Sequence, residues 1–193
     1  MGDWISFWDS PHPLYVNARH RDVHYRTIAQ DIAAYIPSSA AVVLDYGCGE
    51  ALHADRLAAA ARKLILVEAA PKVRTGLAAR FKDHPRIEVL SPQDLRGEAD
   101  RSIDLAVMNS VTQYLTASEL GALLMLFRRL MTPGGLLRTA LSDYRQLRSR
   151  LGLARYTAAA MIRKLEQTGF LAARAETNIG HNQSRMTFVA RPS

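Results

Sequence analysis

The sequence predicts an α/β fold: a doubly wound, mostly parallel seven-stranded sheet with an antiparallel C-terminal hairpin strand and an N-terminal helical lid. Three observations predict it. Short, continuously apolar runs alternate with helical patterns through the middle of the chain, which is typical of a parallel sheet covered on both faces. Two extended runs at the end of the chain have no helix between them. A helical pattern with one apolar face comes before the first predicted strand.

The predicted parallel strands are short and rich in aliphatic residues, and helical patterns separate them. Thr116 and Glu119 have the spacing of a capping box, which predicts the start of the last of these helices. The strands are residues 42–45, 64–68, 87–90 and 103–108 with a fifth beginning at Leu136, and the helices are residues 51–62, 72–81 and 118–131.

The two ends of the chain are organised differently. Residues 18–35 form a predicted amphipathic helix, and the segment 1–37 that contains it is assigned to the lid, with 38–193 as the main domain. The C-terminal part predicts one more helix and then the antiparallel hairpin. These last elements are the helix at residues 157–168 and the strands at residues 171–178 and 185–190, joined by a long turn.

Composition excludes several classes of protein. The chain has 193 residues, of which 48% are hydrophobic and 22% charged, so one folded domain is expected rather than disorder. A single cysteine excludes an intrachain disulfide and a multi-cysteine metal site. The apolar run at residues 120–127 is far below the ~20 residues of a membrane span, and the N-terminus does not resemble a signal peptide. We therefore expect no membrane span and a cytoplasmic location, and the net charge of +7 selects no partner by itself.

A glycine turn after the first strand is the strongest functional signal. Gly47 and Gly49 lack a Cβ atom, so a ligand can lie directly against the backbone between a buried strand and a helix. Glu68 ends the second strand, 23 residues beyond Asp45. An acid about 20 residues beyond such a turn is placed to accept hydrogen bonds from ribose hydroxyls. The spacing therefore predicts a nucleoside site at the carboxyl ends of the strands.

Two residues select the kind of nucleoside. The dinucleotide fingerprint requires a third glycine where this chain has Leu52. The acid Asp45, just before the turn, suits a ligand that carries a positive charge and would repel a pyrophosphate. S-adenosylmethionine presents both a sulfonium and an ammonium group, so it fits this site better than a dinucleotide does.

These motifs resemble those of the class I, Rossmann-type, seven-strand S-adenosylmethionine-dependent methyltransferases. Residues 44–49 resemble the first motif of that family, and Val67 and Glu68 resemble the second. Residues 103–110 resemble its fourth strand, and residues 130–136 resemble the approach to its fifth. The resemblance covers about residues 38–193 and implies a methyltransferase that uses S-adenosyl-L-methionine and releases S-adenosyl-L-homocysteine.

The resemblance also implies roles for residues around the glycine turn. Gly47 and Gly49 are expected to back the methionine part of the cofactor, with Cys48 as a small residue inside the turn. Asp45 is expected to organise that end of the pocket, and Asn109 to line it where the fourth strand ends.

The adenosine part of the cofactor is expected on the neighbouring strands. Glu68 is expected to hold the ribose, with Ala69 beside the adenine. The acid that commonly faces adenine in this family is replaced by Ser91 and Pro92, which are kept as candidate contacts, and Asp94 follows three residues later.

Histidines supply the candidates for a general base. His20 and His24 share a helix face in the lid segment, and His181 lies at the predicted hairpin tip. Imidazole titrates near neutrality, so each could take a proton from an acceptor, although each could equally be a surface histidine. Asp31 lies on the same face with helix-compatible spacing, but we predict no metal site.

The predicted function is in-line methyl transfer to a small molecule. Arginines gather in the segment 138–155, but no aromatic-interleaved basic platform supports RNA binding. Three alternatives stay open: methylation of RNA or protein, a nicotinamide-dependent oxidoreductase, and a cofactor-binding scaffold without catalysis. The sequence does not decide the oligomeric state.

The fifth strand poses one further question. A central strand is expected to be apolar for about 5–6 residues, yet Arg138 follows its first two leucines directly. The interruption suggests that a segment is missing between about Leu137 and Ala140, either through a natural deletion or because residues were omitted from the chain.

Overall fold

A computed structural model of the protein describes residues 4–10, 15–142, 151–180 and 183–193. Within these residues a single seven-stranded sheet is flanked by helices. Its strands are β1 (Val42–Tyr46), β2 (Lys63–Val67), β3 (Ile87–Leu90), β4 (Ile103–Asn109), β5 (Met131–Ser142), β6 (Phe170–Gly180) and β7 (Gln183–Pro192). The helices of the described part are α1 (Trp4–Trp8), α2 (Ala18–Ala33), α3 (Ala54–Ala60), α4 (Pro71–Phe81), α5 (Ala117–Leu130) and α6 (Ala158–Gln167).

The sheet order is β3-β2-β1-β4-β5-β7-β6. Strands β1 to β5 pair in parallel, and β7 is antiparallel to both of its neighbours, β5 and β6. The predicted mostly parallel sheet with an antiparallel C-terminal strand is therefore confirmed. The strand order reverses between β1 and β4, and ligands of open α/β sheets bind at such a point, beyond the carboxyl ends of the strands.

Two hydrophobic clusters cover the two faces of the sheet. Leu44 of β1 belongs to the cluster that contains Phe127 of α5 and Leu165 of α6. Val43, the preceding residue, belongs to the opposite cluster, which contains Ile32 of α2. Successive strand residues point to opposite faces, so both faces are buried and the continuous apolar runs of the sequence are explained.

Strand β5 corrects two expectations. It begins at Met131 rather than Leu136, and its register against β4 shifts between the pairs Ile103–Met131 and Leu105–Leu136, which leaves residues 132–135 as an irregularity. From Leu136 onward the strand pairs continuously with β4, and it pairs with β7 as far as Ser142. The predicted omission between Leu137 and Ala140 is wrong.

Element boundaries differ where backbone geometry overrides the sequence pattern. The helix predicted at 51–62 is shorter, Ala54–Ala60, because Ala51 still belongs to the glycine turn with a φ of +43°. The capping box of α5 is confirmed, since the Glu119 N–H donates to Thr116 Oγ1 and the Thr116 N–H donates to Glu119 Oε2. The C-terminal hairpin strands are longer than predicted, because Gly180 already pairs with Gln183.

The N-terminal helix α1 lies against the main domain at two places. Asp9, just after α1, accepts a hydrogen bond at Oδ1 from the Lys72 N–H, with N and O 2.9 Å apart. Because the N-cap residue of α4, Ala70, has no capping side chain, Asp9 supplies that cap from outside the helix. At the other place, Trp4 and Trp8 pack against a small buried cluster that contains Tyr114. Over the described ranges, the helices all fall short of the length and apolarity that a bilayer span needs.

Candidate functional site

A cavity of about 790 Å³ lies at the carboxyl ends of β1, β2 and β4. Its floor is formed by the segments that follow these strands, and α1 and α2 contribute one wall. Among the predicted cofactor residues, the ones that line it are Asp45, Gly47, Cys48, Gly49, Glu68, Ala69, Pro92 and Asn109.

The two glycines of the turn are required by protein packing. Gly47 has a φ of +74°, and a Cβ atom there would lie 2.3 Å from Cγ2 of Val111. Gly49 has a φ of +58°, and a Cβ atom there would lie 2.7 Å from the hydroxyl of Tyr25. A side chain at either position would therefore displace a neighbour in addition to straining the backbone. The sequence interpretation assigned the missing Cβ atoms to ligand approach alone and missed Val111 and Tyr25.

Tyr25 joins the lid segment to the glycine turn. Its hydroxyl accepts a hydrogen bond from the Glu50 N–H, with O and N 3.0 Å apart. Burial raises the pKa of Tyr25 to about 12, so the hydroxyl stays protonated at physiological pH. The sequence showed Tyr25 only as part of the apolar face of a helix, and its polar contact gave no periodic signal.

Glu68 spans the two loops of the site. Its Oε2 accepts from the Gly49 N–H at 2.9 Å, and its Oε1 accepts from the Ala70 N–H at 2.8 Å. The side chain is only 7% exposed, and this burial raises the pKa of the carboxyl, while the two N–H donors oppose the rise. A carboxylate has about four lone-pair sites, so these two bonds leave acceptor capacity for hydroxyl groups in the cavity.

Two arginines of α4 donate hydrogen bonds to the backbone of the loops that follow β1 and β2. Arg80 donates through Nη2 to the carbonyl oxygens of Glu50 and Ala51, at 2.8 and 2.7 Å. Arg74 donates through Nη1 to the carbonyl oxygens of Glu68 and Ala69, at 2.8 and 3.1 Å. Because Ala51 has a left-handed φ of +43° with a side chain present, the Arg80 contacts help to hold a strained turn. Neither arginine was predicted as a site residue.

Asp45 is a buried acid at the base of the cavity. Asp45 is 6% exposed, and burial raises the pKa of its carboxyl to about 7. The charge of Glu68 also raises this pKa, and the charge of Arg138 partly opposes the rise. A buried carboxyl with a pKa near neutrality becomes more readily ionised when a cation lies beside it. The site is therefore suited to a positively charged group, as the sequence interpretation expected.

Arg138 explains the polar residue in the middle of β5. It is 3% exposed, and its Nη1 donates to Oδ1 of Asn109 at 2.7 Å. Its Nη2 lies 3.7 Å from Oδ2 of Asp31, and the guanidinium lies 5.2 Å from the ring centroid of Tyr35. Since arginine can only donate, it fixes the Asn109 oxygen toward β5 and leaves the Nδ2 hydrogens as donors for other partners.

The region after β3 differs from the expectation. Pro92 lines the cavity, but Ser91 does not, because its hydroxyl donates to Asp94 Oδ2 at 2.7 Å. Hydrogen bonds from Ser91 lower the pKa of Asp94, which is not one of the lining residues either. Ser91 and Asp94 thus shape the turn that presents Pro92 and Gln93 to the cavity.

The histidine candidates separate in the structure. His24 is half-buried and lines the cavity, and its ring centroid lies 5.4 Å from those of Tyr15 and Tyr25. His20 is exposed, its Nδ1 accepts from the Val16 N–H at 3.3 Å, and it is not a lining residue.

His181 lies outside the described residues. In the part of the chain that the structure describes, no group of three or more His, Cys, Asp or Glu side chains is arranged to hold a metal ion.

Comparison with known proteins identifies a domain within the chain. Residues 43–135, about half of the chain, match the methyltransferase domain family. Over these residues the chain contains a methyltransferase domain, on the class I fold described above. Methyltransferase domains of this class have the Rossmann-like fold seen here and use S-adenosylmethionine. No curated protein matches the chain in sequence.

Solved structures with the fold of this methyltransferase domain are numerous and distant in sequence. A chain from the complex of the Haloferax volcanii Trm112 methyltransferase activator with a candidate methyltransferase is 14% identical, with a TM-score of 0.72 over 100% of this chain and 98% of that one. Geranyl diphosphate C-methyltransferase from Streptomyces coelicolor is 9% identical, with a TM-score of 0.71 over 87% and 78%. The (4+2)-cyclase SpnF is 16% identical, with a TM-score of 0.70 over 86% and 80%. At these identities the similarity shows the fold alone.

Proposed function

We propose that this protein is an S-adenosylmethionine-dependent methyltransferase that methylates a small molecule. The observation that carries the proposal is the pairing of Glu68 with the Gly47–Gly49 turn across the carboxyl ends of β1 and β2. The acid, the glycine turn and the buried Asp45 all line one cavity. The methyltransferase domain match over residues 43–135 includes each of these positions.

The residues present fit the cofactor. Glu68 retains acceptor capacity for the ribose hydroxyls. Asp45 places a carboxyl beside the glycine turn, where the cationic methionine portion of the cofactor would be held. The Nδ2 hydrogens of Asn109 provide donors for a carboxylate group. S-adenosylmethionine supplies a methyl carbon that is already activated by a sulfonium. The protein then has to align the acceptor, exclude water and take up a proton where the acceptor loses one.

The position of α1 supports a small acceptor. Trp4 and Trp8 line the cavity, so the N-terminal segment forms part of its boundary. Arg138, the first residue of the predicted basic segment, is buried and bonded to Asn109, so it contributes nothing to a basic surface. Arg145, Arg148 and Arg150 lie outside the described residues. A geranyl diphosphate methyltransferase with the same fold provides a precedent for a small acceptor.

Calorimetry tests the cofactor part of the proposal. We expect S-adenosylmethionine and S-adenosylhomocysteine to bind with one site per chain. NADH, measured by fluorescence titration, is expected not to bind, because Leu52 replaces the third glycine of the dinucleotide fingerprint. Binding of NADH with no binding of S-adenosylhomocysteine would reverse the assignment.

Methyl-labelled cofactor tests the acceptor class. The protein is incubated with labelled S-adenosylmethionine and separate fractions of metabolites, total RNA and total protein. We expect label in the metabolite fraction. Label in RNA or protein would replace the small-molecule assignment. Tight cofactor binding without label in any fraction would favour a use of the fold other than methyl transfer, for which the cyclase SpnF provides a structural precedent.

A further inference from the structure

We infer that the acceptor is a planar aromatic molecule, uncharged or cationic, which binds in an aromatic subsite formed by Trp4, Trp8, Tyr15, His24 and Tyr114. The inference rests on the proposed function, because it concerns the part of the same cavity that faces the cofactor residues. All five residues line the cavity. They come from three places in the chain: α1, the helix α2 with Tyr15 three residues before its start, and the 3₁₀ turn Thr112–Tyr114.

Ring geometry defines the subsite. The centroid of Tyr114 lies 5.2 Å from that of Trp4 and 6.2 Å from that of Trp8, with interplanar angles of 36° and 82°. On the α2 side, the ring of Tyr15 lies 5.4 Å from His24, with an interplanar angle of 53°. These tilted and edge-on rings pack against one another, and the parts of them that line the cavity suit a planar aromatic ring better than a flexible aliphatic chain.

Charge narrows the class of ligand further. The described lining residues include four carboxylates, Asp45, Glu50, Glu68 and Glu119, and two arginines, Arg96 and Arg129. These arginines belong to the turn after β3 and to the last turn of α5, not to the elements that carry the aromatic rings.

One of the two arginines is also engaged with its own surroundings. Arg129 donates to Asp100 and to the carbonyl oxygen of Arg96. Among the described lining residues, the elements that carry the aromatic rings therefore contribute no arginine or lysine to receive a carboxylate or phosphate on the acceptor. Aromatic faces and nearby carboxylates accept a cation. An anionic acceptor is thus disfavoured, whereas a neutral or cationic ring is accommodated.

The sequence provides a specific probe for this subsite. It contains two tryptophans, and both lie in α1 at the cavity. Two indole N–H signals in a nitrogen-15 spectrum of the full-length protein therefore report on the aromatic subsite without an engineered label. Calorimetry on the same samples gives the affinities.

The ligands share a fused two-ring skeleton and differ in aromaticity or in charge. They are 2-naphthol, its saturated counterpart 2-decalol, the anion 2-naphthoate and the cation N-methylquinolinium, each measured with and without S-adenosylhomocysteine. We expect 2-naphthol and N-methylquinolinium to shift the indole signals, and 2-decalol and 2-naphthoate to bind at least tenfold more weakly. Equal or tighter binding of 2-decalol or 2-naphthoate, or no aromatic binding at all, overturns the inference.

Substitutions localise the binding. Trp8→Ala is expected to weaken 2-naphthol binding at least tenfold, and Trp8→Phe, which keeps a ring, is expected to restore most of it. Unchanged binding to Trp8→Ala would place the ligand elsewhere. If that variant does not fold, the wild-type comparison of 2-naphthol with 2-decalol still decides. A separate titration measures the binding of S-adenosylhomocysteine. If S-adenosylhomocysteine does not bind, the proposed function itself is contradicted.

Discussion

At the scale of single residues, Asp45 links the stability of the free protein to the charge of its ligand. Its pKa of about 7 in the folded chain lies above the ordinary value of 3.8, chiefly because of burial. Between these two pH values the folded state holds a proton that the unfolded state has lost. The free energy of unfolding therefore falls as pH rises through this range, and the loss is complete above about pH 7.

Asp45→Asn is expected to stabilise the ligand-free protein. The gain is absent below pH 4, grows as pH rises toward 7 and stays constant above it, up to ~4 kcal/mol because each pKa unit corresponds to ~1.4 kcal/mol. The same substitution removes a negative charge from the cavity and should weaken S-adenosylmethionine more than the uncharged adenosine. Thermal unfolding at pH 4 and pH 8, with calorimetry for both ligands, measures the two effects. If Asp45→Asn melts at a lower temperature than the wild type at pH 8, the raised pKa of Asp45 is contradicted.

Glu68→Gln is expected to weaken S-adenosylhomocysteine binding by about 1–3 kcal/mol, the range for losing hydrogen bonds to a charged group. Both carboxylate oxygens accept backbone N–H groups, at 2.9 and 2.8 Å, so the glutamine amide would place an N–H group against one of these donors. Calorimetry measures the change. Glu166→Gln, at an exposed glutamate of α6, is the matched control and should leave the affinity unchanged. Equal affinities for the two variants would show that Glu68 does not hold the ribose.

At the scale of elements, α4 positions the cofactor loops through its arginines. Arg80→Met removes the donors to the carbonyl oxygens of Glu50 and Ala51, so the glycine turn loses its support from behind. We expect cofactor affinity to fall several-fold while the fold is retained, because the arginine lies behind the cavity wall and does not line it. Arg56→Met, on the exposed side of α3, is the control. An unaltered affinity for Arg80→Met would show that the turn keeps its conformation without Arg80.

Asp9 caps α4 from the lid segment, so its loss should release α1. Asp9→Ala is expected to cost about 0.5–2 kcal/mol of stability, as other cap removals do, and to shift tryptophan emission to longer wavelength because both tryptophans lie in α1. Asp9→Asn keeps a capping oxygen and should resemble the wild type. An emission spectrum that is the same for all three proteins would show that α1 is held without this cap.

Element by element, the sequence predicted what depends on periodicity and missed what depends on long-range contacts. The order of strands and helices and the start of α5 followed from apolar patterns and a capping box, because these signals are local. The sequence did not predict that β5 continues through Arg138. The buried Arg138 is paired with residues of other elements, Asn109 of β4 and Asp31 of α2, and these contacts leave no local pattern in the sequence.

The same limit applies to the site. Glycines and acids at strand ends have recognisable spacing, so Gly47, Gly49 and Glu68 were predicted to share a site, and they line one cavity. The loop-holding Arg74 and Arg80 have no such spacing and look like ordinary surface residues of a helix. The aromatic residues of α1 are close together in the sequence, but only the fold brings them to Tyr114.

At the scale of the whole molecule, a ligand that binds only the folded state stabilises it by mass action. S-adenosylhomocysteine at a hundredfold excess over its dissociation constant should add about 2.7 kcal/mol to the free energy of unfolding. We expect the melting temperature to rise with ligand concentration for the wild type and to rise less for Glu68→Gln at the same concentrations. A rise with NADH instead would indicate the dinucleotide alternative.

Helix α4 contacts both the N-terminal segment and the two loops of the proposed cofactor site. The first turn of α4 is capped by Asp9 of the N-terminal segment, and the arginines farther along α4 donate to the backbone of the two loops that line the proposed cofactor site. A tilt of α4 would therefore move the N-terminal segment and the two loops together. It follows that cofactor binding, by fixing the two loops, should also restrict the motion of the N-terminal segment through α4.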